Sequence, residues 1–137
     1  EGRHVLQQSV CLSADVNVAL DPIYPDTVEP RNCAWLNRGV VLTKYTGSRG
    51  KSDTSDASAE LMGRIRSLMD GSGVVWQIGG KVDMGGGGTV AKYIADLDVD
   101  TVDMGVPVLS MHAPFEVVSK LDVYMAHKAF TALLMRP

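Results

Sequence analysis

The feature that most constrains this chain is an alternation. Short apolar runs of strand length take turns with stretches whose apolar residues recur at helical spacing. Residues 9–15, 39–45, 74–78 and 99–104 read as strands, and 106–111 as another strand or a continuation of the last past Pro107, bounded by polar, glycine or proline residues. Between the first two, Asp21-Pro22, Tyr24-Pro25-Asp26 and Glu29-Pro30 forbid a regular element from Leu20 to Asn37. Ala57, Leu61, Ile65 and Leu68 mark a helix that Ser55 or Asp56 can cap. Asp70-Gly71 closes it, with Gly71 available for the left-handed C-terminal conformation. Thr89 to Leu97 reads as a short helix. Phe115 to Met135 reads as a long amphipathic one, with Val118, Leu121, Tyr124, Met125, Lys128, Ala129 and Leu133 along one broad face. Strands interleaved with helices imply a layered α/β fold with a mixed or mostly parallel sheet. With 137 residues, 45% of them hydrophobic, the chain can bury the core of one domain, spanning 1–137 without a linker or an internal repeat. Met62, Met69, Met125 and Met135 are expected to fill gaps in that core.

Composition excludes several functions. Charged residues make up 21% and the net charge is −3, so the basic excess expected of a nucleic-acid binder is missing. No apolar stretch approaches the roughly 18 residues that suggest a membrane span. The N-terminal residues lack a basic-then-apolar signal pattern. Cys11 and Cys33 have the spacing of neither a disulfide scaffold nor a zinc ribbon, so both are expected to be reduced thiols in a cytoplasmic protein.

The residues that carry chemistry stand at strand ends. Val10-Cys11-Leu12-Ser13-Ala14 delivers Asp15, and Val108-Leu109-Ser110-Met111 delivers His112 just ahead of Pro114. Ligands of open α/β sheets collect at the C-terminal ends of the strands, and such ends share one edge of a sheet. Asp15 and His112 are therefore expected to converge. One carboxylate and one imidazole make half of a metal site, and the other half is not in this chain. His4, near a terminus, and His127, inside the last helix, default to structural or solvated roles.

Two glycine-rich loops imitate nucleotide sites and fail the test. Gly50-Lys51-Ser52 has a strand before it and a helix after it, but a phosphate loop needs a glycine five residues before Gly50, where Tyr45 stands. Gly85 and Gly87 have the first spacing of a dinucleotide fingerprint, yet its third glycine is replaced by Val90 and no strand precedes the run. Four consecutive glycines cost more chain entropy than a plain turn requires, so 85–88 reads as backbone that must come close to a ligand.

Leu12-Ser13-Ala14-Asp15-Val16-Asn17, Asp21-Pro22, Lys44-Tyr45-Thr46-Gly47-Ser48-Arg49-Gly50-Lys51, Ser55-Asp56-Ala57-Ser58-Ala59-Glu60, the stretch from Gly80 to Thr89, and Ser110-Met111-His112-Ala113-Pro114-Phe115-Glu116 occur in this order. Together they resemble the C-terminal part of the M18 metalloaminopeptidases, the aspartyl aminopeptidase family. The resemblance implies a three-layer α/β/α zinc-peptidase domain carrying two divalent ions, zinc or a similar metal. By position, Asp15 matches the carboxylate ligand of the family's Ser-Ala-Asp motif and His112 the histidine ligand of its Met-His motif. Such donors suit zinc, and paired metals can activate a water and polarise a scissile carbonyl.

The family also needs an upstream histidine, a bridging aspartate and a Glu-Glu pair containing the general base. This chain has Glu1, Glu29, Glu60 and Glu116, none adjacent, and the oligomerisation domain is missing. No catalytic group is therefore expected within it. Substrate contacts are expected from the basic loop residues Lys44, Arg49 and Lys51, which could meet an acidic N-terminal side chain, and from Gly86, Gly87, Gly88 and Thr89. The implied partners are a peptide substrate and further copies of the full-length chain in a large tetrahedral assembly. The competing reading is an inactive α/β fragment or stand-alone domain with at most a residual metal site.

Overall fold

Val40–Thr43 (β3) is buried at all four residues, which suits an inner strand covered on both faces. In the computed structural model, which describes residues 1–45, 54–80 and 89–135, this strand lies in a four-stranded sheet. The other strands of that sheet are Val10–Ser13 (β1), Trp76–Ile78 (β4) and Asp100–Gly105 (β5), in the order β1-β5-β3-β4, so β3 lies between β5 and β4. β1 runs parallel to β5 and β3 parallel to β4, while β3 and β5 are antiparallel. A second sheet holds Asn17–Val18 (β2), Pro107–Leu109 (β6) and Val117–Val118 (β7); β2 is parallel to β6, and β6 antiparallel to β7. The mixed α/β architecture agrees with the sequence reading. Among the described residues, no helix is long and apolar enough to cross a membrane.

Strand alternation sorts the sheet into two faces. Val40, Leu42, Val102 and Met104 join the main core with Leu61, Ile65 and Met69 of Ala59–Gly71 (α2) and Ala126 and Ala129 of Lys120–Leu134 (α4). Val10 and Leu12 of β1 pack against the same cluster. The odd-numbered residues face the other way: Cys11, Ser13, Val41, Thr43, Thr101 and Asp103. That second face meets Thr89, which precedes the short helix Ala91–Ala95 (α3) and bonds to Asp103. One face is thus an apolar core, while the other is buried but carries polar groups.

Several boundaries differ from expectation. The cap of α2 is Ser58, whose hydroxyl accepts from the Leu61 N–H at 3.1 Å, rather than Ser55 or Asp56. Gly71 remains helical, and the left-handed residue is Gly73 at φ +62°. The last helix begins at Lys120, not Phe115. Val117 and Val118 are β-branched and pair with β6 as β7, after which Ser119 caps α4 by accepting from the Leu121 N–H. The expected apolar face of α4 is correspondingly shifted: Leu121 and Tyr124 are exposed, whereas Asp122, Ala126 and Ala129 are buried. Met135 is also exposed rather than a core filler. Gly2–Gln7 (α1) is a helix with no buried residue, so no apolar stripe announced it.

Asp122 explains part of that shift. It is 0% exposed, and its carboxylate accepts the backbone N–H groups of Asn37 at 2.8 Å and Gly39 at 2.7 Å. It therefore ties α4 to the turn that leads into β3. Asp122→Ala would leave both donors without their anionic acceptor. The expected cost is about 3 kcal/mol, read as a lower urea midpoint, with Asp122→Asn losing less because its carbonyl oxygen still accepts.

Candidate metal centre

The two candidate ligands sit on one ribbon made of two parallel ladders. Ser13 is level with Asp103, and Asn17 with Pro107. The offset is the same in both pairs, so Asp15 falls opposite Gly105 where β1 gives way to β2. Gly105 makes this crossing possible. A Cβ there would stand 1.2 Å from the Asp15 carbonyl oxygen and 2.4 Å from its carbonyl carbon. The Asp15 side chain is exposed, and the Val16 N–H donates to its Oδ1 at 2.7 Å. The Asn17 side-chain amide, two residues on, donates to the Thr43 hydroxyl at 2.7 Å.

His112 lies three residues beyond β6, in the turn that leads to β7. It takes φ +68°, and Ser110 takes φ +58°. Left-handed backbone costs a side-chain-bearing residue about 1–2 kcal/mol, and such strain tends to gather where function needs it. The turn is held by the Glu116 carboxylate, which accepts the His112 N–H at 2.6 Å, and by the Ala113 N–H donating to the Ser110 carbonyl at 2.9 Å. The His112 side chain is exposed. β1 and β6 belong to different sheets, so Asp15 and His112 do not stand at two tips of one sheet edge. They are linked instead through the continuous ribbon and the turn at its end.

The donor chemistry, one carboxylate and one imidazole, suits zinc. The number does not suffice. Among the described residues, no three His, Cys, Asp or Glu side chains gather closely enough to hold an ion. The pair fits a metal only as part of a larger ligand set.

Asp103 was not singled out in the sequence. It is 5% exposed, level with Ser13 on β1 and with Thr43 on β3. Its Oδ2 accepts the Thr89 hydroxyl at 2.9 Å, while its Oδ1 is buried with no hydrogen-bond partner among the described residues. Burial pushes this carboxyl above its ordinary range. The nearby Thr89 and Ser13 hydroxyls pull it back, and the charge of Asp15 raises it further. Burial also raises the Cys11 thiol, with Asp103 adding to the effect. Cys11 and Asp15 thus each interact electrostatically with Asp103. The available signal was alternation, since Thr101-Val102-Asp103-Met104 puts a carboxylate on the face opposite Val102 and Met104.

Of the expected substrate contacts, Thr89 borders this cluster. Lys44 instead pairs its ammonium with the Asp56 carboxylate. Arg49, Lys51, Gly86, Gly87 and Gly88 lie outside the described residues.

Residues 1–134 match the family model described as Aminopeptidase I zinc metalloprotease (M18). A probable M18 family aminopeptidase 1 of Clostridium acetobutylicum is 46% identical over 134 residues, covering 96% of this chain and 29% of that protein. The crystal structure of aminopeptidase I from Clostridium acetobutylicum superposes with a TM-score of 0.93 at 44% identity, over 98% of this chain and 30% of the other. An M18 family aminopeptidase structure from Thermotoga maritima gives a TM-score of 0.93 at 43% identity, over 96% and 30%. The chain therefore spans under a third of the length of these relatives.

Proposed function

Because the chain belongs to the M18 zinc metalloaminopeptidases, we propose that it is the C-terminal part of a catalytic domain that hydrolyses N-terminal peptide bonds. In this reading Asp15 and His112 are metal ligands, and residues outside the chain complete a site for two divalent ions. When bound, the metal pair supplies Lewis acidity and an activated water. The observation that carries the reading is the setting of the two residues. Each has an exposed side chain on a closely constrained backbone, Asp15 where the chain passes tightly over Gly105 and His112 in a left-handed turn.

The remaining roles follow from position. Thr89 ends the glycine run beside Asp103, so Gly86, Gly87 and Gly88 would bring open backbone groups to the peptide. A preference for acidic N-terminal residues would rest on Arg49 and Lys51, because Lys44 already has a carboxylate partner in Asp56. The full-length protein would act in the cytoplasm as a homo-oligomer of the tetrahedral kind, with 1–137 folding as one unit within the catalytic domain.

The test is metal content and turnover of the full-length protein. Asp15→Ala and His112→Ala should each lower bound zinc and reduce kcat/KM by more than the about 10–100-fold that loss of an outer-shell partner costs. Parental zinc content and turnover in both variants would rule the assignment out.

A further inference from the structure

Among the described residues two carboxylates are buried, Asp103 on β5 and Asp122 on α4, and their surroundings differ. Asp122 is satisfied by two backbone N–H groups. Asp103, 5% exposed, has Thr89 on one oxygen and, among the described residues, no hydrogen-bond partner for the other. A buried, half-satisfied carboxylate is costly, and an apolar residue of similar size would fill the position at less expense. Its packing therefore gives no reason for a carboxylate there. Two neighbours do. Thr89 is the residue at which the glycine run ends, and Asp15, whose charge acts on Asp103, lies at the β1–β2 crossing.

We propose that Asp103 is a positioning residue: it fixes the Thr89 end of the glycine run against β5 and places a second negative charge behind Asp15, strengthening the hold of Asp15 on a divalent ion. The inference rests on the reading of Asp15 as a metal ligand. Two neighbouring carboxylates repel each other, and a divalent cation on one relieves both. Asp103 need not touch the ion for this. Its buried position keeps the charge close and poorly screened, and the Thr89 hydroxyl and the two flanking strands hold it in place.

The test uses the full-length protein and zinc itself, with affinity measured by competition against a chelator. Asp103→Asn keeps the size of the side chain and a carbonyl oxygen for the Thr89 hydroxyl, but removes the charge. Its zinc dissociation constant should rise about 10–100-fold. Asp15→Asn serves as the reference. If Asp15→Asn loses zinc while Asp103→Asn binds it within about two-fold of the parent, the inference about Asp103 is overturned and the metal assignment stands. If Asp15→Asn itself binds zinc like the parent, the assignment beneath it fails.

Should Asp103→Asn not fold, Thr89→Val decides, because it breaks the 2.9 Å hydrogen bond and leaves the buried charge. An increase in peptide KM of about 5-fold or more with kcat little changed supports the positioning role. An unchanged KM overturns it.

Discussion

Replacing Gly105 with alanine is expected to abolish metal-dependent turnover in the full-length protein. The added methyl carbon would meet the Asp15 carbonyl oxygen at 1.2 Å, its carbon at 2.4 Å and its nitrogen at 3.3 Å. These are backbone atoms, so no flexible side chain can swing aside to relieve the clash. Either β5 shifts at the center of its sheet, where Gly105 also pairs with Val41, or the β1–β2 crossing lifts away. The second path is easier because Asp15 is exposed, and it carries the carboxylate away from its place. A displacement of about 1 Å at a reacting center can cost about 10²-fold in rate, and this clash demands more than that. Zinc content and kcat/KM should fall together by at least that factor. Full zinc occupancy with turnover within about two-fold of the parent would contradict the proposed role of the crossing.

A second large effect is expected from the chain alone. The purified 137-residue chain should show no aminopeptidase turnover, even with added zinc, cobalt or manganese. Catalytic zinc usually keeps three protein ligands, and the described residues bring no such group together. The glutamates offer no general base either. Glu116, the one near His112, accepts the His112 backbone N–H at 2.6 Å. Loss of a positioned general base alone is worth about 10²–10⁴-fold. Supplying the portion of the M18 relatives that this chain does not cover should give hydrolysis that a chelator stops. Chelator-sensitive turnover by the isolated chain, absent from its His112→Ala variant, would show that its catalytic groups had been misplaced.

The α/β layering was legible because it rests on local periodicity. Val40-Val41-Leu42-Thr43 and Thr101-Val102-Asp103-Met104 are strand-like from their own residues, and α2 from the spacing of Leu61, Ile65 and Leu68. Asp15 and His112 were singled out as candidates by their places after apolar runs and by motif resemblance. What stayed hidden depends on contacts between distant parts of the chain. The burial of Asp122 is not legible from local pattern, since its partners Asn37 and Gly39 lie more than 80 residues away. The start of α4 was misread because the apolar spacing runs through Val117 and Val118, which pairing with β6 claims for a strand. Nothing in the sequence sets Gly105 apart, and the passage of Asp15 over it explains the missing side chain.

The central claim is that Asp15 and His112 serve one metal center completed from outside this chain. Anomalous diffraction at the zinc edge, from crystals of the full-length protein, addresses it directly. The account predicts zinc peaks in which the Asp15 carboxylate and the His112 imidazole each stand about 2.0–2.2 Å from an ion of the same center, with the remaining ligands supplied by residues outside this chain. Zinc peaks that neither side chain touches, or that place the two residues in separate sites, would contradict it.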